Sequence, residues 1–507
     1  MDTRSWQSSV VLLSVVLTGA QASFAQQPGQ EHHHPAVSAP APTEAHQETH
    51  GGDIPEVMPE FPKLGQAQAS APQPRYRLAD FEQLALAHNP TLVQVARVIE
   101  QAKGRRLQSG LYPNPTVGYS GTEVRGGSYN SGEQGLFVEQ PVILGNKLGL
   151  NRMIGEEEVR RRDFQADIQK YRVINSVRSA FYQVLSSQEM LGIDRDLLRI
   201  SQDTVHIARQ LHNVGQMDET EVLLAEVEEQ RMAIVAENEE HRLRRRWLML
   251  GNVTGLSELP AGIAEGSLTE NLPSVDDESL LKSLLSESPE VKYARAGLAQ
   301  AQAMLVRARR EPVPDLVLRG GLQQDHEPLN TPGKPVGLIG YAEVGVKLRL
   351  WDRNKGGIQA ATAEVSEAQE ELQRVELALR DRSAAAAQQY RDSRAIVDRY
   401  EAEVLPRLRR AYELMTRQYG MMAASFNRVL YLQRTLFEAE TDYIAALEQT
   451  WTTAIALRGF LLNGGLELTK GLTDSNSAES NAIPQQERPS LHLSNSPCLN
   501  WPIFGWR

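Results

Sequence analysis

The chain has 507 residues, 41% hydrophobic and 23% charged, with a formal net charge of -11. That composition supports a folded protein rather than a disordered one. The acidic balance and the lack of a basic stripe exclude a nucleic-acid partner, which needs cations against its phosphates. A single cysteine, Cys498, rules out a disulfide framework and leaves no lipid-bearing cysteine near the N-terminus.

The first segment reads as a secretory leader over residues 1–25. Arg4 supplies a weak positive charge, residues 10–17 form a short apolar core, and Ser23-Phe24-Ala25 places small residues at the cleavage positions, so the mature chain is expected to begin near Gln26. No later run approaches the eighteen or so apolar residues of a membrane-spanning helix. Residues 26–75 are rich in Pro, Ala, Gln and His and read as a flexible arm. The arm carries His32, His33, His34, His46 and His50, imidazoles suited to zinc, copper, cobalt or nickel. Against that reading, a tract of this kind lacks the supporting hydrogen bonds that make a metal site selective.

A first structural repeat is assigned to residues 76–270. Asn89-Pro90 opens a helix that ends at Leu111-Tyr112-Pro113-Asn114-Pro115. A β-hairpin is expected over residues 115–145: Val117 and Tyr119 oppose Thr116, Ser120 and Thr122, while Leu136, Val138 and Val142 share a face. Its tip, Arg125-Gly126-Gly127-Ser128-Tyr129-Asn130-Ser131-Gly132, reads as loop. After Leu144-Gly145-Asn146-Lys147, residues 147–210 contain no proline and predict one helix of roughly 95 Å, with a seam of Ile174, Val177, Phe181 and Val184. The chain turns back near Gly215, and Asp218 is positioned to cap the returning helix.

A second repeat, residues 271–465, follows the same plan. The same offset, about 200 residues, separates Pro90 from Pro289 and the prolines after each helix, the mark of a tandem duplication. Ser288-Pro289 opens a helix ending at Arg310-Glu311-Pro312-Val313-Pro314, and a hairpin is expected over residues 314–351. Leu316, Leu318 and Leu322 face away from Asp315, Val317 and Arg319. Alternation continues in Ala342, Val344, Val346, Leu348 and Leu350 against Glu343, Lys347 and Arg349. Asp352-Arg353-Asn354-Lys355 returns the chain to a helix whose seam is Val397, Tyr400, Val404, Leu408, Ala411 and Met415. Gly420 is expected to end it through its tolerance of positive φ, with Ser425 capping the helix that follows. Residues 466–507 form a polar tail.

Strands of about ten residues with one apolar and one polar face match outer-membrane barrels. Two hairpins give four strands, too few to close a barrel, so several chains must share one if these strands enter a bilayer. The seams alone fit a periplasmic coiled-coil scaffold equally well, which leaves the leader and the alternating strands without a purpose. Enzymatic function has no support: there is no phosphate-binding glycine loop, no His-Glu-x-x-His helix and no nucleophile elbow, and no cofactor is expected.

The phrases Asn89-Pro90, Leu111-Tyr112-Pro113-Asn114-Pro115, Glu139-Gln140-Pro141-Val142-Ile143-Leu144-Gly145-Asn146-Lys147, both glycine turns and Val404-Leu405-Pro406 give a resemblance to the TolC-type outer-membrane efflux proteins, closest in character to the CzcC and CusC metal-efflux branch. The resemblance covers residues 76–465. It implies a mainly α fold with membrane β-hairpins, a homotrimer with a 12-stranded outer-membrane barrel continued by a long periplasmic α-helical barrel, and tips that meet a periplasmic adaptor (membrane fusion) protein and an inner-membrane pump of the resistance-nodulation-division type. Outer-membrane lipid would surround the barrel. The implied role is a passive exit duct, for heavy-metal cations or alternatively for drugs or proteins. In that family acidic rings close the periplasmic mouth. This chain departs from the pattern, since Arg428 and Tyr431 stand where acidic residues are often found. The first tip offers Asp218, Glu219, Glu221 and Glu226, which are expected to pair with Arg428 across the mouth, against the alternative of solvated charges favoured by a helix N-terminus. His212, Met217, Met421 and Met422 gather at the same tips as candidates for adaptor contact or cargo binding; thioethers favour Cu(I), but methionine also fills packing gaps.

Overall fold

The computed structural model describes residues 74–467, apart from 123–124, 127–128, 131, 257, 261, 329–334 and 422. The leader, the five histidines of the arm, Met422 and Cys498 lie outside the described residues.

The first repeat runs β1 (Arg75–Tyr76), α1 (Leu78–His88), α2 (Pro90–Ser109), β2 (Thr116–Thr122), β3 (Arg125–Gly126), β4 (Tyr129–Asn130), β5 (Glu133–Val142), α3 (Lys147–Asn213) and α4 (Glu219–Thr254). The second runs β6 (Ile263–Ala264), α5 (Asp277–Glu287), α6 (Pro289–Arg310), β7 (Leu316–Pro328), β8 (Pro335–Val346), α7 (Lys355–Arg399), a π turn (Tyr400–Val404), α8 (Leu405–Gly420) and α9 (Phe426–Arg458). Proline sits at the start of both α2 and α6, where a missing N–H costs nothing. Asn89 Oδ1 accepts from Thr91 N at 2.9 Å, and Ser288 Oγ accepts from Glu290 N at 3.3 Å. Asn89 also donates to Val253 O at 2.8 Å, which ties the start of α2 to the end of α4.

The duplication reaches atomic detail where each hairpin feeds its long helix. Asn146 and Asn354 cap α3 and α7 from left-handed backbone, at φ 58° and 54°. Each side chain lies over a glycine three residues on: a Cβ at Gly149 or Gly357 would come within 2.3 Å of the asparagine Oδ1. The shared phrase is therefore Asn-Lys-x-Gly, longer than the dipeptide legible by eye.

α3 is one unbroken helix of 67 residues, about 100 Å long. Val177, Phe181 and Val184 of its seam are buried, while Ile174 is half-buried and Val173 takes the fully buried place beside it. The matching helix of the second repeat is interrupted. Pro406 has no N–H to give Ala402, and the chain widens into a π turn in which Leu405 N donates to Tyr400 O. Val397 is buried, whereas Tyr400, Val404, Leu408, Ala411 and Met415 are only half-buried, leaving part of that seam uncovered within one chain.

The main core lies where α1, α3, α4 and α9 meet. Phe81, Phe181 and Trp247 pack edge-on or tilted with ring centroids about 6 Å apart, and Tyr182 stacks on Trp451 at 4.0 Å. Both indoles find acceptors, Trp247 in Pro260 O and Trp451 in Leu268 O.

Candidate functional site: the open sheet and the helical tips

The two hairpins join into one antiparallel sheet of order β2-β5-β7-β8, so β5 and β7 pair across the repeat boundary and β2 and β8 remain as open edges. Cross-strand partners share a face. The register places Val117 beside Val138, Tyr119 beside Leu136 beside Leu322, and Leu318 beside Val344. These residues form one apolar face, exposed at 71% for Val117, 64% for Leu136 and 66% for Val344. The opposite face is polar: Thr116, Glu139, Arg319 and Glu343 stand in one row across all four strands. The Arg319 guanidinium lies 4.0 Å from the centroid of the Phe137 ring.

The expected hairpin limits need two corrections. β8 ends at Val346, short of Leu350, opposite Leu316 where its partner β7 begins, and Arg349 beyond the pairing bonds Glu311 at 2.5 Å. The first tip is not all loop, since β3 and β4 pair within it.

At the base of the sheet, Lys147 Nζ bonds both oxygens of Asp315, at 3.0 and 2.9 Å, and the Lys147 side chain is only 3% exposed. Leu144 N donates to the same carboxylate at 2.9 Å, so the buried cation has a hydrogen-bonded partner fixed to the backbone. Burial pushes the neighbouring Glu311 carboxyl up, but the hydrogen bond and charge of Arg307, with Arg349 and Lys147, bring it below its ordinary value.

At the far end of the helices, the first turn is a Schellman motif. Gly215 sits at φ 74°, its N–H donates to His212 O at 2.8 Å, and Gln216 N donates to Leu211 O at 2.9 Å. His212 Nδ1 lies 3.0 Å from Met217 O, which places the imidazole as a brace of the turn. Asp218 Oδ1 accepts from Glu219 N at 2.9 Å and caps α4, whose exposed Glu219 and half-buried Glu221 lie in the first turn, where the helix dipole favours them. Glu226 pairs with Arg209 of its own hairpin at 2.8 Å.

The second tip is built differently from expectation. The helix runs through Gly420 and is capped at Met421 with φ -94°, so the helix ends without a left-handed glycine. Ser425 holds the N-cap position of α9 without a side-chain hydrogen bond. Phe426, 5% exposed, inserts among Val205, Ala208, Val222 and Ala225 of the first hairpin, and Met217 packs against that cluster. Met421 and Tyr431 are exposed, at 71% and 73%. Burial raises the Tyr419 phenol, and the charge of Glu221 across the tips adds to the shift. Arg428 is exposed and makes no ion pair among the described residues. No three His, Cys, Asp or Glu side chains gather into a metal-binding group among the described residues.

Three features escaped the sequence reading. Arg434 of α9 donates to Glu228 of α4 at 2.7 Å, an ion pair between the two helical hairpins near the tips. Arg246 of α4 forks onto Glu448 of α9 at 2.9 and 3.1 Å and also donates to Gln183 O. The third is the Phe426 anchor. Arg434 and Glu228 lie in plain view in the sequence, but charges are common on these helices and only the tertiary alignment selects this pair.

Among the described residues no helix is long and apolar enough to cross a membrane. The surface fit for lipid is the sheet, and helices of about 100 Å carry it far from the tips. That combination defines the protomer of an envelope channel. Residues 82–250 and 280–462 match the family model described as outer membrane efflux protein, and the chain belongs to that family. It is 27% identical over 378 residues to the cobalt-zinc-cadmium resistance protein CzcC of Cupriavidus metallidurans, covering 74% of this chain and 87% of that one. Its fold is similar to the outer-membrane channel OprN, with a TM-score of 0.63 at 17% identity over 77% of this chain and 91% of that one. It is similar to CusC at the same TM-score and 15% identity, over 80% of this chain and 97% of that one. The protein is an outer-membrane efflux channel and not an enzyme.

Proposed function

We propose that the protein is the outer-membrane exit duct of a tripartite efflux assembly that exports heavy-metal cations. The observation that carries the duct is the sheet with two open edges and one apolar face. A bilayer tolerates no unpaired strand edge. Three copies joined β8 to β2 close the edges into a barrel of about twelve strands, within the range of known barrels. The half-covered seam of α7 and α8, with the exposed Leu223, Val227 and Ile234 of α4, leaves apolar surface for neighbouring copies to cover. The likeness to CzcC supports metal cations as cargo. Energy comes from an inner-membrane pump of the resistance-nodulation-division type, reached through a periplasmic adaptor at the tips.

The mouth is held closed by Arg428 reaching carboxylates such as Asp218 or Glu219 on a neighbouring copy, and Tyr431 and Met421 are exposed for that contact or for the adaptor. Residues 1–25 act as the leader, and His32, His33, His34, His46 and His50 capture metal cations. The decisive experiment compares resistance of a deletion strain, with and without the gene, to cobalt, zinc and cadmium and to apolar drugs. It is paired with conductance and chemical cross-linking of the detergent-purified protein in planar bilayers. Restored metal resistance with trimers and ion conductance supports the reading. Drug resistance without metal resistance overturns the cargo, and a detergent-free soluble oligomer without conductance overturns the duct.

A further inference from the structure

Where α7 and α9 run side by side, their two faces differ in character. On one face the Tyr390 hydroxyl donates to Pro273 O and Trp451 Nε1 donates to Leu268 O at 2.7 Å, so the segment between β6 and α5 is strapped across it. Asp392 follows Tyr390 by two residues and Asp442 precedes Trp451 by nine, each about half a turn further round its helix. Both therefore lie on the face turned away from the strap, where a furrow of about 650 Å³ opens between the helices. Ala385, Ala445 and Ala446 are too small to fill it, and Ile396 and Tyr400 stand beside it. The Tyr400 hydroxyl lies 3.4 Å from Asp442 Oδ2. Both aspartates are exposed, and neither makes an ion pair among the described residues. The nearby Arg394 is committed to Asp398 at 2.9 Å. In the helical barrel proposed above, the strapped face is the outer one, since the strap would obstruct the passage from inside. The furrow then lines the passage.

We infer that this furrow between α7 and α9 binds bulky lipophilic organic cations, one per chain, in the wall of the duct. Its place in the wall rests on the channel proposed above. The furrow matches the cavities of about 300–1,000 Å³ that take drug-sized ligands. Ile396 and the alanine methyls receive the hydrocarbon part of the ligand, and Asp392 and Asp442 supply the opposite charge. The ring of Tyr400 adds an aromatic neighbour for a cation. A metal ion fits less well. Among the described residues no third carboxylate or imidazole joins the two aspartates, and a hydrated ion gains nothing from an alanine floor.

The test titrates the detergent-purified protein with tetraphenylphosphonium by calorimetry, with neutral triphenylphosphine oxide and cobalt ion as comparisons. Wild type is set against Asp392→Asn with Asp442→Asn, and against Ala445→Leu, which fills the furrow and keeps both charges. Helical circular dichroism checks that each variant is folded. The expected result is one phosphonium per chain, with affinity lowered about tenfold when both carboxylates are neutralised. Ala445→Leu should weaken binding as well, the neutral oxide should bind far less, and equimolar cobalt should not displace the phosphonium. No binding, binding unchanged in either variant, equal uptake of the neutral oxide, or displacement by equimolar cobalt overturns the site. Conductance of the same preparation in planar bilayers separates the two readings. Conducting trimers that bind no phosphonium overturn the site and leave the duct standing. Protein that neither trimerises nor conducts overturns the duct, and with it the place of the furrow in a duct wall.

Discussion

Arg434 and Glu228 lie 2.7 Å apart, on helices that belong to different repeats, close to the end where those helices turn back. Glu228 is 17% exposed and Arg434 51%, so solvent screens the pair and its worth is about 0.2–1 kcal/mol. In the trimer proposed above, symmetry multiplies it. Arg434→Gln is expected to raise single-channel conductance modestly, and the charge-swapped pair Arg434→Glu with Glu228→Arg to return it toward the wild-type value. High salt should erase the difference between the single variant and wild type.

A stronger link lies deeper in the helical barrel. Arg246 and Glu448 are both mostly buried and joined by two hydrogen bonds, with a third from Arg246 to Gln183 O. Arg246→Met removes the donors and leaves a half-buried carboxylate unpaired, for a loss of about 1.5–3 kcal/mol. Helical circular dichroism on heating should show a lowered midpoint, and Arg246→Met with Glu448→Leu together should recover part of it.

Stability should also depend on pH through Asp194. Burial pushes this carboxyl from 3.8 to about 6, the charge of Glu239 adds to the rise, and Arg242 opposes it. Asp194 is 3% exposed and its Oδ1 has no hydrogen-bond partner. A carboxyl raised on folding favours the folded state while protonated, so its contribution is lost as pH climbs from near 4 through about 6. Asp194→Asn should therefore be the more stable protein above that window, by on the order of 2 kcal/mol, and no more stable at pH 4. Melting temperatures across that range check the prediction, and a difference that persists unchanged at low pH would contradict it.

Phe426 joins the tips by insertion rather than charge. Phe426→Ala empties a small cluster and is expected to cost about 3 kcal/mol, felt locally. Limited proteolysis should cut residues 417–430 in the variant under conditions that leave the wild type whole.

Much of this architecture was legible in the sequence because its signals are local. Pro90 and Pro289 fix helix starts whatever surrounds them, Gly215 adopts the left-handed backbone expected of it, and alternation sorted Val117, Leu136 and Val344 onto the face the register confirms. Gly420 misled because a glycine permits positive φ without requiring it, and the helix could continue through it. Leu348 and Leu350 continued the alternation on paper, but the pairing partner β7 begins at Leu316, opposite Val346, and the strand ends there. The cross-hairpin pairs were hidden for the same reason: 206 residues separate Glu228 from Arg434, and no local pattern encodes which turn of α4 faces which turn of α9.

The two unpaired sheet edges impose an order on assembly. A lone protomer carries a surface that water rejects and edges that lipid rejects, so neither compartment offers it a resting state. If three copies close the barrel as proposed, recognition between them begins along the helices, which water tolerates, and only a complete set can commit its strands to the bilayer. Insertion is then a cooperative event whose rate rises steeply with protomer concentration, and an excess of one defective copy able to join the helices but not the sheet would stall its healthy neighbours.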